Sequence, residues 1–232
     1  MFKKVLLLSL LCLLPIAGFA STIEDKLSKE NEIQARINKI GVNLLNCNRI
    51  NKRIIFTYDE AYKEKILDNL DTLNKRQVIV YGNYYKSASN DDELAAILAR
   101  EISQAVKSYD GMWGGRIDSI QVLLGAKKFE TVADKRAVDY MVNAGYDPIA
   151  LITYINKTCP QKRSDRFARS NLTSKRLARI YEYITYKYPS YLTNSIYLEN
   201  EYYQNFLLSS IENRRKLEEK IRNRSVQELK YE

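Results

Sequence analysis

In the stretch Asp91-Asp92-Glu93-Leu94-Ala95-Ala96-Ile97-Leu98-Ala99-Arg100-Glu101-Ile102-Ser103-Gln104, positions 100, 101 and 104 fall within one helical turn. A helix with two metal ligands four residues apart and a carboxylate beside the first can hold a divalent ion and activate its water. Here positions 100 and 104 carry an arginine and an amide, Arg100 and Gln104, and of the three only Glu101 can accept a proton. Arginine is always protonated and has no lone pair to donate, and an amide oxygen is a weak zinc ligand beside imidazole. The chain has no histidine at all, so the usual general base and the commonest zinc ligand are both missing. Further carboxylates follow in Glu130-Thr131-Val132-Ala133-Asp134, again one turn apart.

The order of these motifs resembles the HtpX- and CAAX-prenyl-protease-like gluzincin metallopeptidases (peptidase family M-forty-eight). There an acidic start and a Leu-Ala-Ala-x-Leu-Ala run lead into His-Glu-x-x-His. Glu130-Thr131-Val132-Ala133-Asp134 is similar to the family's Glu-x-x-Ala-Asp, and Gly145-Tyr146-Asp147-Pro148 to its Gly-Tyr-Asp-Pro turn. Ser170-Asn171-Leu172 stands where many members carry Thr-His-Pro, and Arg176 keeps an arginine found in those members. The resemblance runs from about Ile33 to Tyr191. It implies that Arg100, Gln104 and Glu130 occupy the zinc-ligand positions and Glu101 that of the general base, with Asp134, Asn171 and Arg176 supporting the site from behind. It also implies an α+β, mostly helical, zincin-like scaffold in which a small sheet packs on a core helix.

Catalytic zinc takes three protein ligands and an open position, and here only Glu130 remains of the three, so no cofactor is expected. Two facing carboxylates without a metal repel one another, and a guanidinium at position 100 can take the cation's place. The expectation is a buried Arg100–Glu130 ion pair with Gln104 hydrogen-bonded nearby. Arg100→Leu would then cost about 3–5 kcal/mol by stranding the carboxylate. The function that follows is an inactive homologue that binds or regulates polypeptides in the cell envelope, either an unfolded or outer-membrane client or an active peptidase relative. One alternative is an active metalloendopeptidase with an atypical metal held by Glu101, Glu130 and Asp134, whose hard oxygens suit magnesium or calcium better than zinc. Another is a structural envelope protein.

The elements that must position these residues follow from periodicity. Ser21 with Glu24 reads as a capping box opening a long amphipathic helix through Leu45. Arg53–Tyr58 and Gln77–Tyr81 read as strands, and the charged segment from Asp59 to Asn74 stays ambiguous. Ser89 or Asn90 caps the core helix, whose apolar face is Leu94, Ile97, Leu98, Ile102 and Val106. Gly111, Trp113, Gly114 and Gly115 mark a loop. Helices follow from about Phe129 to Ala144, from Pro148 through Ile155, and from about Thr173 to Tyr186. In the family the edge of the sheet receives an extended chain by strand addition. Gly82-Asn83-Tyr84-Tyr85 departs from the turn usual there.

At 232 residues, 45% hydrophobic and 28% charged, the chain suits one domain with appendages. Met1-Phe2-Lys3-Lys4, the apolar run Val5–Ala17 and the small-residue ending Gly18-Phe19-Ala20 read as a secretory signal, too short for a spanning helix. Residues 1–20 are assigned to that signal, 21–195 to a peptidase-like domain and 196–232 to a charged helical tail. Export to the periplasm or envelope leaves Cys47 and Cys159 either disulfide-bonded or as free thiols. The formal charge of +9 favours acidic partners, including peripheral contact with an anionic membrane surface. No nucleic-acid motif is present, and none is expected as a partner.

Overall fold

The computed structural model describes residues 2–61, 77–110, 125–161, 164 and 170–232. The glycine-rich stretch around Trp113 and most of the ambiguous segment before Asn74 lie outside the described residues. Among those described, the protein is mostly helical with a two-stranded parallel sheet. None of their helices is long and apolar enough to cross a membrane.

The first helix, α1 (Phe2–Cys47), runs without a break through Ser21, where the capping box predicts a start. Because the residues before it are helical too, Ser21 is an interior position and its capping role has no terminus to serve. The C-terminal part of α1 turns Ile37, Ile40 and Leu44 into the core. Gly41 lies so close to the sheet that a Cβ there would sit 2.6 Å from the Phe56 ring, so helix and strand meet with no side chain between them.

Strands β1 (Ile55–Asp59) and β2 (Gln77–Tyr81) pair in parallel, with Thr57 opposite Ile79. Phe56, Val78 and Val80 bury one face. The outer edge of β1 is closed by a side chain. Tyr58 N–H donates to Gln34 Oε1 at 2.7 Å, and Gln34 Nε2 donates to the Phe56 carbonyl at 3.1 Å. One carboxamide thus does what a neighbouring strand would do. Since Phe56 and Tyr58 point away from β2, Thr57 points toward it and bonds the residues flanking Ile79. The N–H and C=O of Ile79 itself then face the far edge, where the described residues offer no backbone partner.

A short helix, α2 (Gly82–Ser87), follows β2 directly, where the sequence departs from the family's turn. Next comes the central helix α3 (Asp91–Asp110). Asn90 Oδ1 accepts from Glu93 N–H, and the Glu93 carboxylate reaches back to Ser89 N–H at 2.7 Å, which makes a reciprocal cap. Every residue from Glu93 to Ser103 is buried, so α3 is enclosed on all sides and not amphipathic in its first half. Ala95, Ala96, Ala99 and Ala105 keep its surface low enough for α1, β2 and two further helices to pack against it. Those two are α4 (Ala126–Asn143) and α5 (Ile149–Thr158). Gly145, with φ of +81°, ends α4, and Tyr146 N–H returns to the Met141 carbonyl.

Helix α6 (Thr173–Lys187) packs on α4 and α5. It leads through the one-turn α7 (Tyr191–Asn194) to α8 (Glu201–Ser209) and α9 (Ile211–Arg222). The segment read as a charged helical tail is docked. Tyr203 and Phe206 of α8 belong to the main core against α5, and Leu217 of α9 is buried. Ile211 and Ile221 of α9 face solvent. Cys47 is exposed and Cys159 half-buried, and both are free thiols.

A candidate functional site built on buried arginines

Helices α3, α4 and α6 converge on one carboxylate. Asp134, on α4 and 1% exposed, takes Arg176 as a two-pronged fork: Nε at 2.6 Å on one oxygen and Nη2 at 2.7 Å on the other. Arg100 Nε from α3 adds a third bond at 3.0 Å. Both guanidiniums are buried, at 3% exposure for Arg100 and 6% for Arg176. Parallel N–H···O bonds to a carboxylate away from water are among the strongest neutralising arrangements available to a side chain. Burial alone would raise the Asp134 carboxyl, but the charges and hydrogen bonds of Arg176 and then Arg100 hold it below the usual aspartate value. Burial opposes the charge on Arg176, and Asp134 more than restores it, so this guanidinium is held in its charged form.

The carboxylate opposite Arg100 is therefore Asp134, one turn beyond the Glu130 that sequence spacing suggests. Arg100 also lies 3.4 Å from the buried Glu101. Glu130 is held by other groups. Its Oε2 accepts from the Asn171 backbone N–H at 2.8 Å and from Asn171 Nδ2 at 2.7 Å, and its Oε1 lies 3.7 Å from Arg176 Nη1. Asn171 Nδ2 also donates to the Lys127 carbonyl, and its Oδ1 accepts from Arg179 Nη1 at 2.8 Å. Arg179 reaches Thr131 Oγ1 as well. Gln104 is half-buried and makes no side-chain hydrogen bond among the described residues, contrary to expectation. It lies a full turn beyond Arg100, outside the fork.

The six residues Arg100, Glu101, Glu130, Asp134, Asn171 and Arg176, singled out from sequence, are thus brought into one connected network. Arg179 and Thr131 were missed. The signal for Arg179 was its place three residues after Arg176, on the same helix face, and nothing in the sequence marked Thr131.

The donor set does not fit a divalent ion. Both Asp134 oxygens and Glu130 Oε2 already accept from N–H groups, and Glu101 and Asp134 share a guanidinium. Among the described residues no three Cys, Asp or Glu side chains are grouped to share a metal. The ligand set Glu101, Glu130 and Asp134 considered above is therefore filled by arginine. A second pairing resembles a nucleophile with its base: Lys157 Nζ donates to Ser89 Oγ at 2.9 Å. Lys157 also lies 2.5 Å from the buried Glu93 carboxylate, so its nitrogen is engaged in an ion pair and not in activating Ser89.

Comparison with protein-family models, with curated proteins and with solved structures finds no match for this chain.

Proposed function

We propose that the chain is a degenerate relative of the HtpX- and CAAX-prenyl-protease-like metallopeptidases, a zincin-like scaffold whose zinc has been replaced by an arginine-centred ion network. It acts as a non-catalytic binder or regulator of extended polypeptides in the cell envelope. The observation that carries this reading is the buried Arg100 guanidinium on Asp134, 3.0 Å apart, at the position the resemblance gives to a zinc-binding histidine. A cation is still present there, now supplied by the chain itself. Arg176 and Asp134 are positions the resemblance retains, so Arg100 joins a pair that already belongs to the scaffold. The short apolar leader after Lys3 and Lys4 supports export.

What supports polypeptide binding is the asymmetry of the small sheet. Gln34 closes the β1 edge, while the outward N–H and C=O of Ile79 on the β2 edge meet no backbone partner among the described residues, the pattern that strand addition uses. The partner is an unfolded client, an outer-membrane chain or a segment of an active peptidase relative.

The test has two arms. Purified protein is expected to hold no stoichiometric zinc and to leave casein intact, and chelator-sensitive proteolysis would overturn the reading. A fluorescent unfolded polypeptide should bind, and Ile79→Pro should weaken that binding about tenfold while the melting curve holds. Proline at 79 removes only an outward N–H, which an edge strand tolerates. Equal binding by wild type and Ile79→Pro would remove the β2 edge from the proposal.

A further inference from the structure

Packing resumes beyond the end of α9. Arg224, with φ of +48°, turns the chain back, residues 223–228 run exposed, and the chain then lies down again over α6 and α9. Leu229 is half-buried and Tyr231 is 6% exposed. Arg179, Glu182 and Tyr186, one stripe of α6, stand near the Tyr231 phenol. Lys220 of α9 braces the two helices, donating to Glu182 at 3.0 Å and lying over the Tyr186 ring.

The next residue is held by a side chain acting on backbone. Asn213 Nδ2 donates to the Glu232 backbone oxygen at 3.0 Å, and Glu232 N–H donates to Asn213 Oδ1 at 3.3 Å. One buried carboxamide thus satisfies both backbone groups of a residue, a grip indifferent to what side chain that residue carries. Lys216 adds selectivity for charge, with Nζ 3.0 Å from Glu232 Oε1. An aromatic pocket, a backbone clamp and a cation, serving two successive residues, are the parts of a peptide-docking site. The present occupant fits it incompletely. The Tyr231 hydroxyl is buried and makes no hydrogen bond of proper geometry, although Glu182 stands near it, engaged by Lys220. Ser210 Oγ at the entry to α9 and Arg214 Nε in its first turn are also buried without a partner. Among the described residues, the buried side-chain polar atoms left this way all lie on α9, at its entry or on the segment docked against it. An unmade hydrogen bond away from water weakens a contact, and a phenyl ring would fill the same pocket without one.

We propose that the groove between α6 and α9 is a docking site for a partner segment that carries an aromatic residue followed directly by an acid, and that residues 229–232 occupy it in cis as a displaceable plug. The exposed tether of residues 223–228 keeps the plug at high local concentration, so an outside segment enters only in competition with it. The site is separate from the β2 edge and does not depend on strand addition there.

The probe is a fluorescein-labelled peptide of residues 225–232 carrying Tyr231→Phe, read by fluorescence anisotropy on the full chain. Tyr231→Ser empties the pocket and should bind the probe about tenfold more tightly than wild type. Adding Lys216→Glu to Tyr231→Ser should weaken that binding about threefold or more while the melting curve holds. No saturable binding to Tyr231→Ser, equal affinity for wild type and Tyr231→Ser, or indifference to Lys216→Glu would overturn the proposal. If Tyr231→Ser fails to fold, the wild type decides by amide hydrogen exchange. Saturating probe should speed exchange at Tyr231 and Glu232 about threefold or more while the α5 amides hold, and unchanged exchange overturns the plug. A concentration-dependent wild-type dimer that the probe dissolves would assign the groove to residues 229–232 of a second copy and overturn the outside partner.

Discussion

Arg100 and Arg176 share Asp134, yet they are not equivalent. Arg176 supplies both prongs of the fork and also approaches Glu130, whereas Arg100 gives Asp134 one bond and reaches Glu101 at 3.4 Å. Arg176→Leu therefore leaves buried carboxylates short of their main partner and should cost about 3–5 kcal/mol. Arg100→Leu leaves Asp134 still forked by Arg176 and should cost about 1–3 kcal/mol, less than spacing alone suggests. Urea denaturation ranks the two, and the opposite order would make Arg100 the dominant partner. Asp134 itself sets an acid limit. Its lowered folded value means that its contribution is present above the ordinary aspartate range and lost as pH falls through the folded value. Unfolding midpoints measured below about pH 4 should therefore drop in the wild type. In Asp134→Asn that drop should be smaller, from an already lower midpoint. The residues of this network were legible one by one in the sequence, but their pairing was not. Whether Arg100 meets Glu130 or Asp134 depends on how far α3 is displaced along α4, a single turn that no one-dimensional spacing records.

Elements were legible wherever periodicity or turn chemistry was strong. The strand at Gln77–Tyr81, the acid-started α3 and the glycine stop after α4 stand close to where the pattern puts them. Two features escaped. The capping box at Ser21 is a local signal, and the helical residues upstream override it. Gly82–Ser87 carries no helical apolar stripe, and its helix is set by the packing of Tyr84 into the core. Gly41 was equally silent, since a glycine inside a helix says nothing about what it faces. The Phe56 ring answers that question and supplies a test: Gly41→Ala drives a methyl into that ring and should cost about 1–3 kcal/mol, despite alanine's better helix propensity. The double variant Gly41→Ala/Phe56→Leu should recover part of the loss in a thermal melt, and no recovery would mean that the contact is not the cause.

The molecule as a whole is more continuous than its charge pattern suggests. Dense Lys, Arg and Glu spacing after Ile211 reads as solvated sequence, and exposed pairs such as Arg215 with Glu212 contribute little. The anchoring comes from a few aromatics that composition alone dilutes, above all Tyr203 and Phe206. Ending the chain after Tyr197 removes both, at about 3–5 kcal/mol for each large core aromatic, which approaches the whole stability of a typical domain. Such a truncation should lose its cooperative melt by circular dichroism. Ending it after Arg222 should keep the melt with a modest decrease, because the Tyr231 contact, the Asn213 bonds to Glu232 and the exposed Lys216–Glu232 pair go while Tyr203, Phe206 and Leu217 stay. The two thiols give such variants a built-in clock. Cys47, open to reagent, should alkylate at the rate of a small-molecule thiol. Half-sheltered Cys159, one step past the end of α5, should lag behind it. The ratio of the two rates then reports how often that end of the helix breathes, on native protein and without an introduced label.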